Sequence, residues 1–267
     1  MKVQVLCATM HQKDFSKISE MNIKTDVVFA NQADSVSYTE QRKNGFCAQM
    51  ITTATRGVGI NRNIALMSAD ADVCLIADDD MRYVDNYAEI VEKAFSALPD
   101  ADAIIFNIDT IGADFGRRKN TKIKRLHFYN CLNYGAARIA LKNNVLKREN
   151  IYFSRLFGGG TIYSCGEDSI FIWNLIKNGF RLYAYPVKIA EVKQDTSTWF
   201  KGYNKKYLYD KGALFAALSK KFARAFCLQE LARHKNIYKE AGVSFFEAYR
   251  LMKDGIRGYK ELREYKE

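Results

Sequence analysis

The sequence predicts an α/β fold, a mixed and mostly parallel sheet flanked by helices, with a helical C-terminal extension. Three observations predict it. Short apolar runs of strand length recur along the first two thirds of the chain. Helical patterns fill several of the gaps between them, the rhythm of a parallel sheet covered on both faces. Beyond Trp199 the texture turns aromatic and basic, with helical spacing and no strand signal.

In chain order, the strands are Val3 to Ala8, Val27 to Ala30, Val73 to Ala77, Ala103 to Ile108, and Arg181 to Tyr185, which ends before Pro186. A helix follows Asp85, a capping residue type, and places Tyr87, Ile90, Val91, Ala94, Phe95 and Leu98 on one face. Another runs from about Glu167 to Asn178, where Gly179 supplies the stop. In the segment starting at Lys211, Leu214, Phe215, Leu218, Phe222 and Phe226 form an apolar stripe opposite Lys220, Lys221 and Arg224. A last helix starts at Ser244, with Glu247 completing a capping-box signature. There is no internal repeat and no low-complexity tract.

With 267 residues, 48% of them apolar and only two prolines, the chain can bury a sizeable core. No apolar run approaches the roughly 20 residues that span a bilayer. The opening MKVQVLCATM goes straight into a strand pattern, so the protein is expected to stay in the compartment where it is made. Six cysteines lie far apart without a CxxC pair, which suits buried thiols in a reducing compartment and disfavours a zinc site. The three histidines are equally scattered, so acid–base or metal chemistry must rest mainly on carboxylates. A formal charge of +11 implies an anionic partner, whether nucleic acid, acidic lipid headgroups or phosphorylated small molecules.

VCLIADDDM puts Asp78, Asp79 and Asp80 at the carboxyl end of a buried strand, the edge of an open α/β sheet where ligands sit. Adjacent carboxylates repel, and a divalent cation shared with substrate phosphates would offset that repulsion. Alone, the triplet is equally what a solvated acidic turn contains. Downstream, FGGGTIYSCGEDSIF carries Gly158, Gly159 and Gly160, then Gly166, Glu167 and Asp168 at a helix start. The acids are also explained by the favourable field of a first helical turn. Three successive glycines permit close approach to a ligand or lid motion.

Together these residues resemble a family. RGVGINRNIALMSADADVCLIADDDM resembles the donor-site segment of glycosyltransferase family 2, in which a glycine loop and an Arg-Asn pair precede the strand that ends in a DxD motif. Gly166-Glu167-Asp168 resembles the ED motif of the same family. The resemblance covers roughly residues 1 to 200 and implies a Rossmann-like GT-A fold. A nucleotide-sugar-binding half would span 1–110 and an acceptor-binding half 111–200, with 201–267 a basic amphipathic tail. It implies inverting, metal-dependent transfer of a sugar from a nucleotide diphosphate sugar, a UDP-sugar foremost, to a carbohydrate or lipid-linked acceptor hydroxyl. Cell-surface polysaccharide or glycolipid biosynthesis is the implied setting, at the cytoplasmic face of a membrane.

Carried over by position, Asp78 and Asp80 match the acids of DxD and would hold Mg2+ or Mn2+, with Asp78 also near the ribose and Asp79 beside the donor. Arg62 would face the diphosphate, while Thr9 and Asn31 occupy nucleoside-contacting places. Asp168 matches the catalytic base, and Glu167 would orient acceptor or base. The sequence departs from the family in lacking a proline after the first strand. Its second strand ends in Asn31, Gln32, Ala33 and Asp34 instead of paired acids, and no histidine lies between Asp168 and His234.

Among Tyr163, Trp173, Trp199 and Tyr203, Trp199 is the favoured platform for an acceptor sugar. The basic amphipathic segment fits contact with anionic membrane as well as ordinary packing. Two other readings are a non-catalytic nucleotide- or carbohydrate-binding module and a nucleotidyltransferase. Nucleic acid is not an expected partner, since no binding motif accompanies the charge.

Overall fold

The computed structural model describes residues 1–43, 45–112, 119–145, 150–194 and 202–266. Trp199 lies outside them. The chain divides into two compact units, one of Met1–Phe153 with Phe171–Thr196 and one of Ser154–Ile170 with Ser197–Glu267.

The first unit is built on a 10-stranded sheet. In chain order its elements are β1 (Val3–Met10), α1 (Lys17–Glu20), β2 (Asp26–Gln32), β3 (Ser37–Lys43), β4 (Phe46–Thr53), α2 (Val58–Met67), β5 (Val73–Asp78) and β6 (Met81–Tyr83). There follow α3 (Tyr87–Ala97), β7 (Ala103–Gly112), β8 (Lys124–Arg125), β9 (Ile139–Lys142), α4 (Glu167–Lys177) and β10 (Leu182–Gln194). The first residues of α4 group with the second unit. The strand order is β3-β4-β2-β1-β5-β9-β7-β10-β6, with β8 beside β10. Strands β1, β2, β4, β5, β7 and β10 run one way, and β3, β6, β8 and β9 oppose them.

The central strands read as continuous apolar runs because both faces are covered. Val5, Cys7, Val27, Phe29, Val73 and Leu75 are all buried in one core. Helix α3 adds Tyr87, Val91, Ala94 and Phe95. It starts from Asn86, not Asp85, and has no side-chain cap. The Asp85 carboxylate is instead taken by Lys24 Nζ at 2.6 Å and Asn22 Nδ2 at 3.1 Å. Strand β10 does not stop before Pro186. It continues to Gln194, with register shifts between Ala184 and Ala190 that accommodate a residue lacking an N–H.

The second unit contains α5 (Lys205–Leu218), α6 (Ala223–Arg233), α7 (Lys235–Glu240) and α8 (Phe245–Lys266). The stripe predicted from Leu214 to Phe226 is broken at Ser219, and Phe222 stands 52% exposed at the junction. Asn204 caps α5 by accepting from Tyr207 N at 2.9 Å. Helices α5 and α8 meet backbone to backbone. A Cβ on Gly212 would collide with the Met252 carbonyl, and one on Gly255 with that of Tyr209. Half of the capping box forms: Ser244 Oγ accepts from Glu247 N at 3.2 Å, but the Glu247 carboxylate pairs with Lys205. Among the described residues no helix is long and apolar enough to cross a membrane.

Candidate functional site

Parallel pairing makes β1, β2 and β5 end at the same edge of the sheet. Thr9 lies opposite Asn31, and Ala8 opposite Asp78. The predicted residues Thr9, Asn31, Asp78, Asp79 and Asp80 are therefore gathered at that edge, and α2 brings Arg62 to it. Arg62 is buried, and its Nη2 donates to Asp78 Oδ1 at 2.7 Å. Its guanidinium lies over the Phe153 ring, 5.3 Å from the centroid. The adjacent Asn63 fixes that ring by gripping the Phe153 backbone twice, accepting from its N–H at 2.7 Å and donating to its carbonyl at 2.9 Å. The Arg-Asn pair thus works as one device, one residue carrying charge and the other holding the surface beneath it.

Asp79 accepts a short hydrogen bond from Thr9 Oγ1. Lys17 Nζ donates to the Asp79 carbonyl at 3.3 Å and pairs with Glu20 at 2.9 Å. The Glu20 hydrogen bond, and after it the charge of Asp79, raises the Lys17 pKa despite partial burial. The triplet's field also reaches inward. Burial pushes the Cys7 thiol well up, and Asp79, Asp78 and Asp80 add to it. Asn31 is buried with its amide engaged: it accepts from Gln12 N and donates to Gln12 O, both at 3.0 Å, and donates to Thr52 Oγ1 at 3.1 Å. Its observed bonds hold the chain that follows β1.

Helix α2 opens at Gly57, whose φ of 110° only glycine adopts readily and whose carbonyl accepts from Gln32 Nε2 at 3.0 Å. One turn on, the buried Asn61 donates to the Thr9 carbonyl at 3.0 Å. Its Oδ1 has no hydrogen-bond partner among the described residues. Lys17 belongs to no motif, and Asn61, though inside the glycine-loop segment, stands beside the Arg-Asn pair without a role the sequence assigns.

Among the described residues no group of three or more His, Cys, Asp or Glu side chains is arranged to hold a metal ion. A closed protein cage is therefore not what the triplet offers. Magnesium and manganese commonly take one or two carboxylates and complete their shell with phosphate oxygens and water. Asp78, with 40% of its side chain exposed beside the bound guanidinium, and the exposed Asp80 fit that mode.

Glu167 and Asp168 belong to the second unit. They occupy the first turn of α4, which opens with Ile170 N donating to Gly166 O at 3.0 Å. Gly166 has φ 117°, and a Cβ there would sit 2.9 Å from Leu214 Cδ1. The glycine run is internally bonded: Gly158 N donates to Tyr163 O at 2.9 Å, and Thr161 Oγ1 donates to Gly158 O at 2.8 Å. The neighbouring Cys165 is no activated nucleophile, because burial raises its pKa and Glu167 adds to that while Lys211 opposes it. Lys211 is paired with Glu230 at 2.9 Å.

No protein-family model matches the sequence, and no curated protein matches it. Solved structures do match its fold. The crystal structure of S. aureus TarS 1–349 in complex with UDP-GlcNAc is 14% identical over 88% of this chain and 73% of that one, with a TM-score of 0.63. The complex of the same protein with UDP gives 14% identity, coverage of 88% and 72%, and a TM-score of 0.61. The structure of TarS 1–349 alone covers 100% of this chain and 92% of its own at 13% identity, with a TM-score of 0.60. The strand order, the carboxylates at the sheet's carboxyl edge and these likenesses agree: the chain has the GT-A glycosyltransferase fold.

Proposed function

We propose that this protein is an inverting glycosyltransferase of family 2 type that transfers a sugar from a nucleotide diphosphate sugar to an acceptor hydroxyl. One observation carries the reading: the buried Arg62 paired with Asp78 at the carboxyl edge of a GT-A sheet, beside two further carboxylates. An arginine held there presents fixed positive charge to a diphosphate while the acids stand ready for a cation. That solved structures of the same fold hold UDP-GlcNAc and UDP favours a UDP-sugar as donor.

In this mechanism Arg62 binds and orients the diphosphate, and its charge stabilises the negative charge that grows there as the glycosidic bond breaks. Asp78 and Asp80 would hold Mg2+ or Mn2+, which as a Lewis acid would offset the same charge. Asp79 and Thr9, hydrogen-bonded to each other, shape the wall of the donor site, and Asn31 keeps the loop after β1 in place. Asp168 accepts the proton of the attacking hydroxyl, which adds to the anomeric carbon on the face opposite the departing diphosphate. Glu167 orients that acid and the acceptor. The acceptor is a carbohydrate or lipid-linked sugar of cell-surface polysaccharide or glycolipid synthesis, met at the cytoplasmic face of a membrane that the basic C-terminal helices touch.

The test is a thermal-shift screen of nucleotide sugars with and without Mn2+, since a ligand that binds only the native state raises its melting temperature. A metal-dependent shift with a UDP-sugar is expected. Equal indifference to every nucleotide sugar and to free UDP would overturn the reading.

A further inference from the structure

Within the second unit, the segment leading into Glu167 and Asp168 lies along one stripe of α5. Lys206 Nζ donates to Ile162 O at 3.0 Å. Asp210 Oδ2 accepts from Ser164 N at 3.0 Å and from Ser164 Oγ at 2.7 Å. Leu214 packs beneath Gly166, whose φ of 117° disfavours a side chain and where an added Cβ would meet Leu214 Cδ1 at 2.9 Å. Positions 206, 210 and 214 are successive turns of a helix, and 162, 164 and 166 are alternate residues of an irregular segment. One helical turn advances about 5.4 Å, and two extended residues advance about 6.6 Å, so the two series keep approximate step over this length.

The middle rung is the unusual one. Asp210 is fully buried, and its charge is matched by Lys206 Nζ at 2.8 and 2.9 Å from its two oxygens. The Lys206 side chain is itself 60% exposed, so the pair reaches from solvent to a buried carboxylate; a carboxylate buried this way contributes little net stability, but it fixes direction and register. The register fixed here is that of Ser164, two residues before the Gly166 carbonyl on which α4 begins.

We infer that Asp210 is a positioning residue: through Ser164, and with Lys206 and Leu214 on either side, it sets where α4 starts and so where Glu167 and Asp168 stand. The inference rests on the reading that Asp168 is the base. Asp210 touches neither donor nor acceptor in this scheme, and its effect passes entirely through the acid pair.

The experiment measures UDP release from UDP-GlcNAc with Mn2+, together with hydrogen exchange over residues 158–168. Asp210→Ala is expected to lower kcat about 100-fold, the cost of misplacing a catalytic group by about 1 Å, with the donor KM changed less than about twofold. Exchange in 158–168 should rise about tenfold while α8 amides keep their protection. Asp210→Asn, which keeps an acceptor oxygen for Ser164, should recover part of the rate. In an Asp168→Asn background Asp210→Ala should cause no further loss, because the residue it positions is gone. If Asp210→Ala fails to fold, Lys206→Met and Ser164→Ala carry the same comparison with smaller losses. Wild-type turnover with an unchanged kcat in the folded Asp210 variant, or an equal further loss in the Asp168→Asn background, overturns this inference alone. A wild type that releases no nucleoside diphosphate from UDP-GlcNAc or from any other nucleotide sugar overturns the proposed function and this inference with it.

Discussion

Arg62 Nη2 meets Asp78 Oδ1 at 2.7 Å, joining a side chain that is 5% exposed to one that is 40% exposed. The guanidinium is thus anchored in the protein and the carboxylate is partly open to solvent. Arg62→Met should destabilise the fold by about 1–3 kcal/mol, the range for breaking a buried polar pair, because water compensates Asp78 only in part. Arg62→Lys should recover some of that loss but not donor affinity, since an ammonium cannot present the planar fork to a diphosphate. Urea titration and UDP binding with Mn2+ check the two effects. Full donor affinity in Arg62→Lys would show that the fork is not used.

In the proposed mechanism the two acidic motifs separate donor from acceptor chemistry. Asp80→Asn is expected to weaken metal-dependent nucleotide-sugar binding at least tenfold, and Asp168→Asn to leave that affinity near the wild-type value while turnover falls by about 100-fold or more, the order of a lost general base. Calorimetric titration with UDP and Mn2+ beside a UDP-release assay measures both. Equal loss of donor affinity in the two variants contradicts the division of roles.

Much of the first unit is legible in the sequence for a simple reason: strands covered on both faces write their position as unbroken apolar runs, as in β1, β2, β5 and β7. The hairpin β3–β4 escapes that criterion. Strand β4 has only alternate residues buried from Ala48 on, and the edge strand β3 is exposed from Ser37 to Glu40 and at Arg42. An Asn-Gly dipeptide at 44–45 was the available signal. Asp78 to Asp80 and Arg62 in the first unit, and Glu167 and Asp168 in the second, stand out because they are charged residues in short motifs. Asp210 and Lys17 do not, because each acts on a residue far along the chain and nothing local distinguishes it; Asn61 sits in the quoted segment, but its bond to the Thr9 carbonyl is likewise set by a distant residue.

Asp26 ties the start of β2 to the start of β4, accepting from Cys47 N at 2.7 Å and pairing with Lys2 Nζ at 2.8 Å. Burial alone would raise its pKa, but the Cys47 N–H and the Lys2 ammonium outweigh burial and hold it below the usual value. A depressed carboxylate contributes stability above its unfolded pKa of about 3.9, and that contribution is lost as pH falls through the lower folded value. Asp26→Asn should therefore be less stable than wild type at pH 7, by about 1–2 kcal/mol, with the gap closing as the pH is taken below about 4. Urea midpoints at pH 7 and pH 3 measure it. A gap that stays constant would mean that hydrogen bonding without charge explains the contribution.

The proposed membrane contact makes its clearest demand at the junction of α5 and α6. Phe222 stands 52% exposed, and Lys220, Lys221 and Arg224 beside it are exposed as well. Lys221 Nζ lies 5.4 Å from the Phe222 ring centroid. A ring flanked by cations suits an anionic interface, where each basic residue near the surface adds about 1 kcal/mol. Reversing two of them, in Lys220→Glu with Lys221→Glu, should lower partition onto phosphatidylserine vesicles by about 10- to 100-fold. Phe222→Ser should lower it further at any salt concentration, while the ionic part should fade as salt is raised. Deleting residues 200–267 would be a poor substitute, because the same deletion removes Asp210 and Leu214 from beneath the segment that carries Glu167 and Asp168. Vesicle co-sedimentation of the point variants avoids that coupling, and sedimentation unchanged by either variant would exclude this junction as the membrane contact.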